Sequence, residues 1–69
     1  MKISTRNVLS GTVTAMIKGP VSTEVTIAVA PGIEIVAVIS TVSAETLELA
    51  PGKAAHALIK ASSVMVAVD

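Results

Sequence analysis

The side chains fit for chemistry in this chain fall mainly into three short blocks. Ser4-Thr5-Arg6-Asn7 precedes the first apolar run, Ser40-Thr41-Val42-Ser43 lies mid-chain, and Lys60-Ala61-Ser62 stands near the end. All three can donate hydrogen bonds and none contains a carboxylate. Arg6 brings a planar fork of N–H groups and Lys60 a compact ammonium, while serines and threonines add hydroxyls. Ser40 to Ser43 also opens a predicted helix, where amides and the helix dipole favour negative charge. Two fixed cations among neutral donors suit a small dianion.

The donor chemistry narrows which dianion. Phosphate near neutral pH keeps a proton, and that O–H needs an acceptor. Against donors alone it stays unpaired at ~1–3 kcal/mol, enough to disfavour phosphate by roughly tenfold or more. Sulfate, molybdate and tungstate are fully deprotonated and meet no such penalty. Cavity size decides among them.

Other chemistries lack their parts. One histidine, no cysteine and no acidic cluster leave too few ligands for a metal cation. Neither a G-x-S-x-G elbow nor a Walker phosphate loop occurs. A Ser/His/Asp triad would have to draw on His56 and Asp69, so neither catalysis nor a cofactor is expected. Five Lys/Arg balance five Asp/Glu, so there is no basic field for nucleic acid or a membrane surface. With no aromatics, the stacking platform for single strands is missing as well. No apolar run approaches the ~20 residues of a membrane helix. MKISTRN has no apolar stretch of the signal-peptide kind, so the expected compartment is the cytoplasm.

The chain of 69 residues is 52% hydrophobic, and residues 1–69 read as one domain. A domain this small buries only ~60% of its unfolded surface. Without large side chains or disulfides, the remaining way to bury more is against copies of the same chain, and an obligate homo-oligomer is expected.

Gly19-Pro20, Pro31-Gly32 and Pro51-Gly52 punctuate the sequence as turns. Between them, alternation predicts strands over 11–18, 23–30, 33–40, 54–61 and 62–69. In the first, Thr12, Thr14 and Met16 share one face and Val13, Ala15 and Ile17 the other. In the second, Val25, Ile27 and Val29 oppose Glu24, Thr26 and Ala28. In the third, Ile33, Ile35, Ala37 and Ile39 oppose a partly apolar set, predicting burial of both faces. Val42, Thr46 and Leu49 keep a helical spacing, with Ser40 or Thr41 as N-cap and Ala50-Pro51-Gly52 as the stop. The expected fold is all-β, a small closed five-stranded barrel of OB type with one short helix between strands 3 and 4. An open sandwich fits the same pattern.

STRN before a strand, the EV-bearing second strand, ISTVS ahead of the helix, L-x-L-x-P-G and A-x-I-K-A together resemble the molbindin family. These are small Mop-type molybdate/tungstate-binding domains, also found attached to molybdate transport and regulatory proteins. The blocks occur in the family's order over essentially the whole chain. The resemblance implies an OB-like barrel assembled as a homohexamer, a trimer of dimers, that holds oxyanions between subunits. It also implies cytoplasmic molybdenum storage or buffering. In this sequence the anion contacts would be Ser4, Arg6, the amide of Thr5 (where the family favours alanine), Ser40, Ser43, Lys60 and the amide of Ala61, with Ser62 beside them. A second kind of site, near a threefold axis, would fall around Lys18, Gly19, Val21 and Ser22, although Pro20 there lacks an N–H.

Each residue also has a plainer role. Arg6 alone is a solvated charge or a partner of Glu24 or Glu34, Lys60 an edge lysine that blocks aggregation, and Ser40 and Ser43 helix caps. Asn7 reads as a turn residue, His56 as a surface or interface residue, and Met16 and Met65 as core filler. Three rival functions follow: a structural oligomerisation module, a sensory oxyanion-binding domain without a storage role, and an OB-type nucleic-acid binder. The lack of a linker up to residue 69 speaks against the second, and composition against the third.

Overall fold

Four strands form in a computed structural model that describes residues 1–69. They are β1 (Asn7–Lys18), β2 (Ser22–Ala30), β3 (Ile33–Ser40) and β4 (Ala54–Ile59), joined in one antiparallel sheet of order β3-β2-β1-β4. The helix α1 (Thr41–Thr46) follows β3, and Ala61–Ser63 make a single 3-10 turn.

β1 is the spine of the sheet. Asn7 to Thr12 pair with β4, Thr12 to Lys18 pair with β2, and the two ladders meet at Thr12. Gly11 lies at the crossing, where a Cβ would run into the Ala28 carbonyl oxygen. Only glycine permits so close a backbone approach. One position later than the meeting point, the register shifts between Val13 and Ala15 and leaves Thr14 as a bulge. The extra residue reverses the faces beyond it: Met16 sits across from buried Val25, while Ala15 and Ile17 oppose outward Thr26 and Glu24. The alternation expected from the sequence therefore fails after Thr14, because strict period-2 reading admits no inserted residue. Ile17, expected beside Val13, is 67% exposed.

Two turns form as expected. Pro31-Gly32 joins β2 to β3 with Gly32 at φ 73°, and Pro51-Gly52 precedes β4 with Gly52 at φ 95°. Proline first and a positive-φ glycine second is the type II requirement. Ser40 caps α1, its hydroxyl oxygen accepting the Ser43 N–H at 3.0 Å. The helix buries Thr41 and Ala44, whereas Val42, expected inward, is 72% exposed. The Thr41 side chain is anchored inside by hydrogen bonds, which fixes the rotation of so short a helix. α1 stops at Thr46, earlier than the 50–52 signal, and Glu48 takes a left-handed φ of 53°. Lys53 Nζ donates to the Leu47 and Glu48 carbonyls at 2.6 and 3.2 Å, satisfying groups that the ended helix leaves free.

The expected fifth strand does not form. β4 ends at Ile59, the Ser63 N–H closes on the Lys60 carbonyl at 2.8 Å, and residues 64–69 run on without a ladder. The alternating pattern there calls for a strand partner, yet the segment joins neither free edge of the sheet. Met65, expected in the core, is 93% exposed, with Val66 at 89% and Val68 at 92%. Closure fails for the same reason. The sheet curls far enough for Ala57 of β4 to join Val13, Val25 and Ile27 in one cluster, yet β3 and β4 remain unpaired edges. The result is a half-barrel. Ile35, Ala37 and Ile39 face Ala55, Ala57 and Ile59 across an apolar groove of about 580 Å³.

Only 7 of 69 residues are buried, so the interior is thin. Val13, Val25 and Ile27 contribute roughly 1.5–3 kcal/mol each. On the outer face Val36 and Val38 are 58% and 68% exposed, so β3 is not covered on both sides as its sequence suggests.

Candidate oxyanion site

Asn7 and Ile59 form the last register pair of the β1–β4 ladder, and Asn7 Nδ2 donates to the Ile59 carbonyl at 3.1 Å. That bond holds the two strand ends together. The next residues on the facing chains are Arg6 and Lys60, both exposed. Ser4 and Thr5 lead into this end of the ladder and Ala61 and Ser62 lead out of it. Lys60 and Ala61 lie beyond β4 rather than within it, as the sequence had suggested, and the 3-10 turn presents Ala61 and Ser62 to solvent. One end of the sheet thus collects six of the proposed contacts.

Neither Arg6 nor Lys60 has an acidic partner. The sole ion pair joins Lys18 Nζ to Glu45 Oε1 at 3.0 Å. Glu34 accepts from Thr14 Oγ1 at 3.3 Å, and Glu24 lies between Ile17 and Val38 across the sheet. Two uncompensated like charges on facing strand ends repel each other. A dianion between them reverses that sign.

Ser40 and Ser43 stand at the other end. The Ser40 hydroxyl donates to Ser43 Oγ at 2.7 Å and accepts the Ser43 amide, which leaves the Ser43 hydroxyl proton free for an outside acceptor. Ser40 is paired in register with Ser22. The Gly19 N–H donates to the Ser22 carbonyl at 2.9 Å, and the Thr41 N–H to the Val21 carbonyl at 2.8 Å. The Lys18–Ser22 turn and the Ser40–Ser43 block, separate in the sequence reading, are therefore neighbours. Lys18 turns its ammonium to Glu45 instead of the turn.

Two threonines absent from the predicted set underlie this end. The Thr41 hydroxyl donates to the Gly19 carbonyl at 2.6 Å and lies 2.8 Å from the Thr23 hydroxyl. Thr41 has a single hydroxyl proton, committed to Gly19, so Thr23 is the donor in the second bond. Thr23 is wholly buried and Thr41 nearly so. Alternation puts Thr23 on the inner face with Val25, but the bond between them depends on the chain's path and has no sequence signal.

The two donor clusters lie at opposite ends of β1. A strand of 12 residues spans at most roughly 36 Å at ~3.3 Å per residue, somewhat less where the Thr14 bulge bends it. No single copy can close both clusters around one small anion. Elsewhere, His56 Nδ1 lies 2.8 Å from Ser10 Oγ on the exposed face, and no group of three His, Cys, Asp or Glu could hold a metal ion.

The TOBE domain family matches residues 3–66. The probable molybdenum-pterin-binding protein of Haemophilus influenzae is 42% identical over 69 residues, 100% of either chain. The chain belongs to the molbindin family. Family likeness extends to the molybdenum transport protein ModE of Herbaspirillum seropedicae, 45% identical over 100% of this chain but only 26% of that protein. The chain thus spans about a quarter of ModE. Among solved structures, a molybdate binding protein from Sporomusa ovata superposes with a TM-score of 0.91 at 40% identity, covering 99% of this chain and 100% of that one. The molbindin relatives are named for binding or transporting molybdenum compounds.

Proposed function

We propose that this molbindin binds molybdate or tungstate without catalysis or cofactor, as a homohexamer built from three dimers, in cytoplasmic molybdenum storage and homeostasis. Each site draws on two copies. Arg6 and Lys60 supply charge, with Ser4, Ser62 and the Thr5 and Ala61 amides beside them. Ser40 and Ser43 of the neighbouring copy complete the donor set.

The observation that carries this reading is the distribution of donors. Two cations without acidic partners follow the last pair of the β1–β4 ladder at one end of the sheet. The hydroxyl pair lies at the far end, a distribution that supports a site shared by two chains. A second copy also answers the apolar surface. The β3 and β4 edges, the groove between them and the Val64 to Val68 segment are uncovered in one chain, and exposed apolar area on this scale marks an interface. Because the anion bridges copies, its binding stabilises the assembly. No helix is long and apolar enough to cross a membrane, and the balanced charge gives nucleic acid no foothold.

Isothermal titration with molybdate and with sulfate tests the proposal. Tight, saturable binding of molybdate over sulfate is expected, and equal weak heats for both would end it. The match to part of ModE favours a second reading, an oxyanion-binding module at work within a longer transport protein. Strong binding by the 69-residue chain alone favours the first reading. An oligomer that never retains Mo or W during size exclusion would leave only a structural assembly role.

A further inference from the structure

The Thr23–Thr41 pair is a buried polar link between two segments that the proposed function places at anion sites. Thr41 is held at three points: its hydroxyl donates to the Gly19 carbonyl, its amide donates to the Val21 carbonyl, and its Oγ1 accepts from Thr23. Ser40 precedes it, and Ser43 lies two residues beyond. The turn on the other side of the link is closed by the Gly19 N–H donating to the Ser22 carbonyl at 2.9 Å, an approach so close that a Cβ on Gly19 would stand 2.6 Å from that oxygen. Every buried side-chain polar atom has its partner. The three-point hold is therefore a closed network, which rigidifies what it joins.

We infer that Thr41, backed by Thr23, is a positioning residue that fixes the spacing of the Ser40 and Ser43 donors and so sets discrimination among tetrahedral dianions by size. The inference rests on the oxyanion reading given above. Thr41 is buried and does not touch the anion. Donors held in one geometry favour the anion whose radius matches that geometry, and lose contacts to a smaller one. Donors on a turn free to shift close on either anion. Molybdate and sulfate carry the same charge and shape but differ in radius, so a loosened turn costs selectivity as well as affinity. Relaxed Ser40 and Ser43 would approach the smaller sulfate more readily than they do in the anchored turn.

Thr41→Val keeps the shape and removes both the hydroxyl donor and the acceptor, while Thr41→Ser keeps both. Titration of each variant with molybdate and sulfate, alongside circular dichroism and size exclusion, is the test. Thr41→Val should fold and lose about tenfold in molybdate affinity, the low end of what removing an orienting outer partner costs a bound ion. Its preference for molybdate over sulfate should fall as well, and Thr41→Ser should restore both. Should Thr41→Val fail to fold, Thr23→Val, which leaves the Thr41–Gly19 bond in place, reads the same ratio. Unchanged affinity and unchanged preference in whichever valine variant folds would overturn the inference and leave the oxyanion reading standing. Loss of affinity without any change in preference would overturn the size-selection role. A wild-type protein that binds neither anion would overturn both readings together.

Discussion

If each site is shared between copies, two defective variants should repair each other. Arg6→Ala removes one half of the proposed site and Ser43→Ala the other. Both should fold. The Arg6 side chain is exposed with no ion pair, and Ser43→Ala keeps the amide that Ser40 caps. Each variant loses a hydrogen bond to a dianion worth roughly 1.5–3 kcal/mol, or roughly 10–150-fold in affinity. In a site that takes Arg6 from one chain and Ser43 from the next, co-refolding the variants in equal amounts makes about a quarter of all sites wild-type at both positions. Titration of the co-refolded mixture with molybdate should show that fraction as a separate tight phase. Variants refolded apart and assayed apart should show none. If mass spectrometry finds mixed oligomers and the tight phase is still missing, the site does not span two chains, and the separation of the clusters along β1 has been misread.

Other perturbations test the frame around the site. Gly11→Ala drives a methyl group into the Ala28 carbonyl and should cost ~2–3 kcal/mol. A lowered urea midpoint at unchanged slope would show this, and a wild-type midpoint would contradict the close crossing. Lys53→Met removes the donor to the Leu47 and Glu48 carbonyls. A loss of ~0.5–1 kcal/mol in thermal unfolding is expected, since the bonds are exposed. Deleting residues 64–69 should leave the strand content by circular dichroism intact while reducing the assembled mass by light scattering. An unchanged mass would show that the segment covers no neighbour.

The sequence disclosed the turns and most of the strands because those signals are local. Proline followed by glycine sets the backbone at 31–32 and 51–52 whatever surrounds it, and alternation through β2 keeps one face apolar. The nearness of the first and last donor blocks within one chain had no such signal: it comes from the antiparallel pairing of β1 with β4, which alternation does not specify. What stayed hidden depends on the path of the chain. Thr14 looks like any outward threonine, yet as a bulge it exchanges the inside and outside of everything after it in β1. Val42 has the spacing of a buried helical residue, but the Thr41 hydroxyl rotates the helix away from it. The Val64 to Val68 stretch has the alternation of a strand, but alternation does not say where a strand will pair, and this one joins neither free edge.

The split pairing of β1 divides the sheet into units that can open separately. Both edge strands are held on one side only. β4 is zipped to the first half of β1 over six register pairs, whereas β3 is zipped to β2 over eight and joined to it by a tight turn. Subglobal opening should therefore release β4 first, exchanging its amide hydrogens while the β2–β3 hairpin keeps its own. Lys60 follows directly on the strand that leaves most easily. An anion that clamps Lys60 would slow exchange most in the least protected strand, and that retardation would trace occupancy in a chain with no tryptophan or tyrosine to report it.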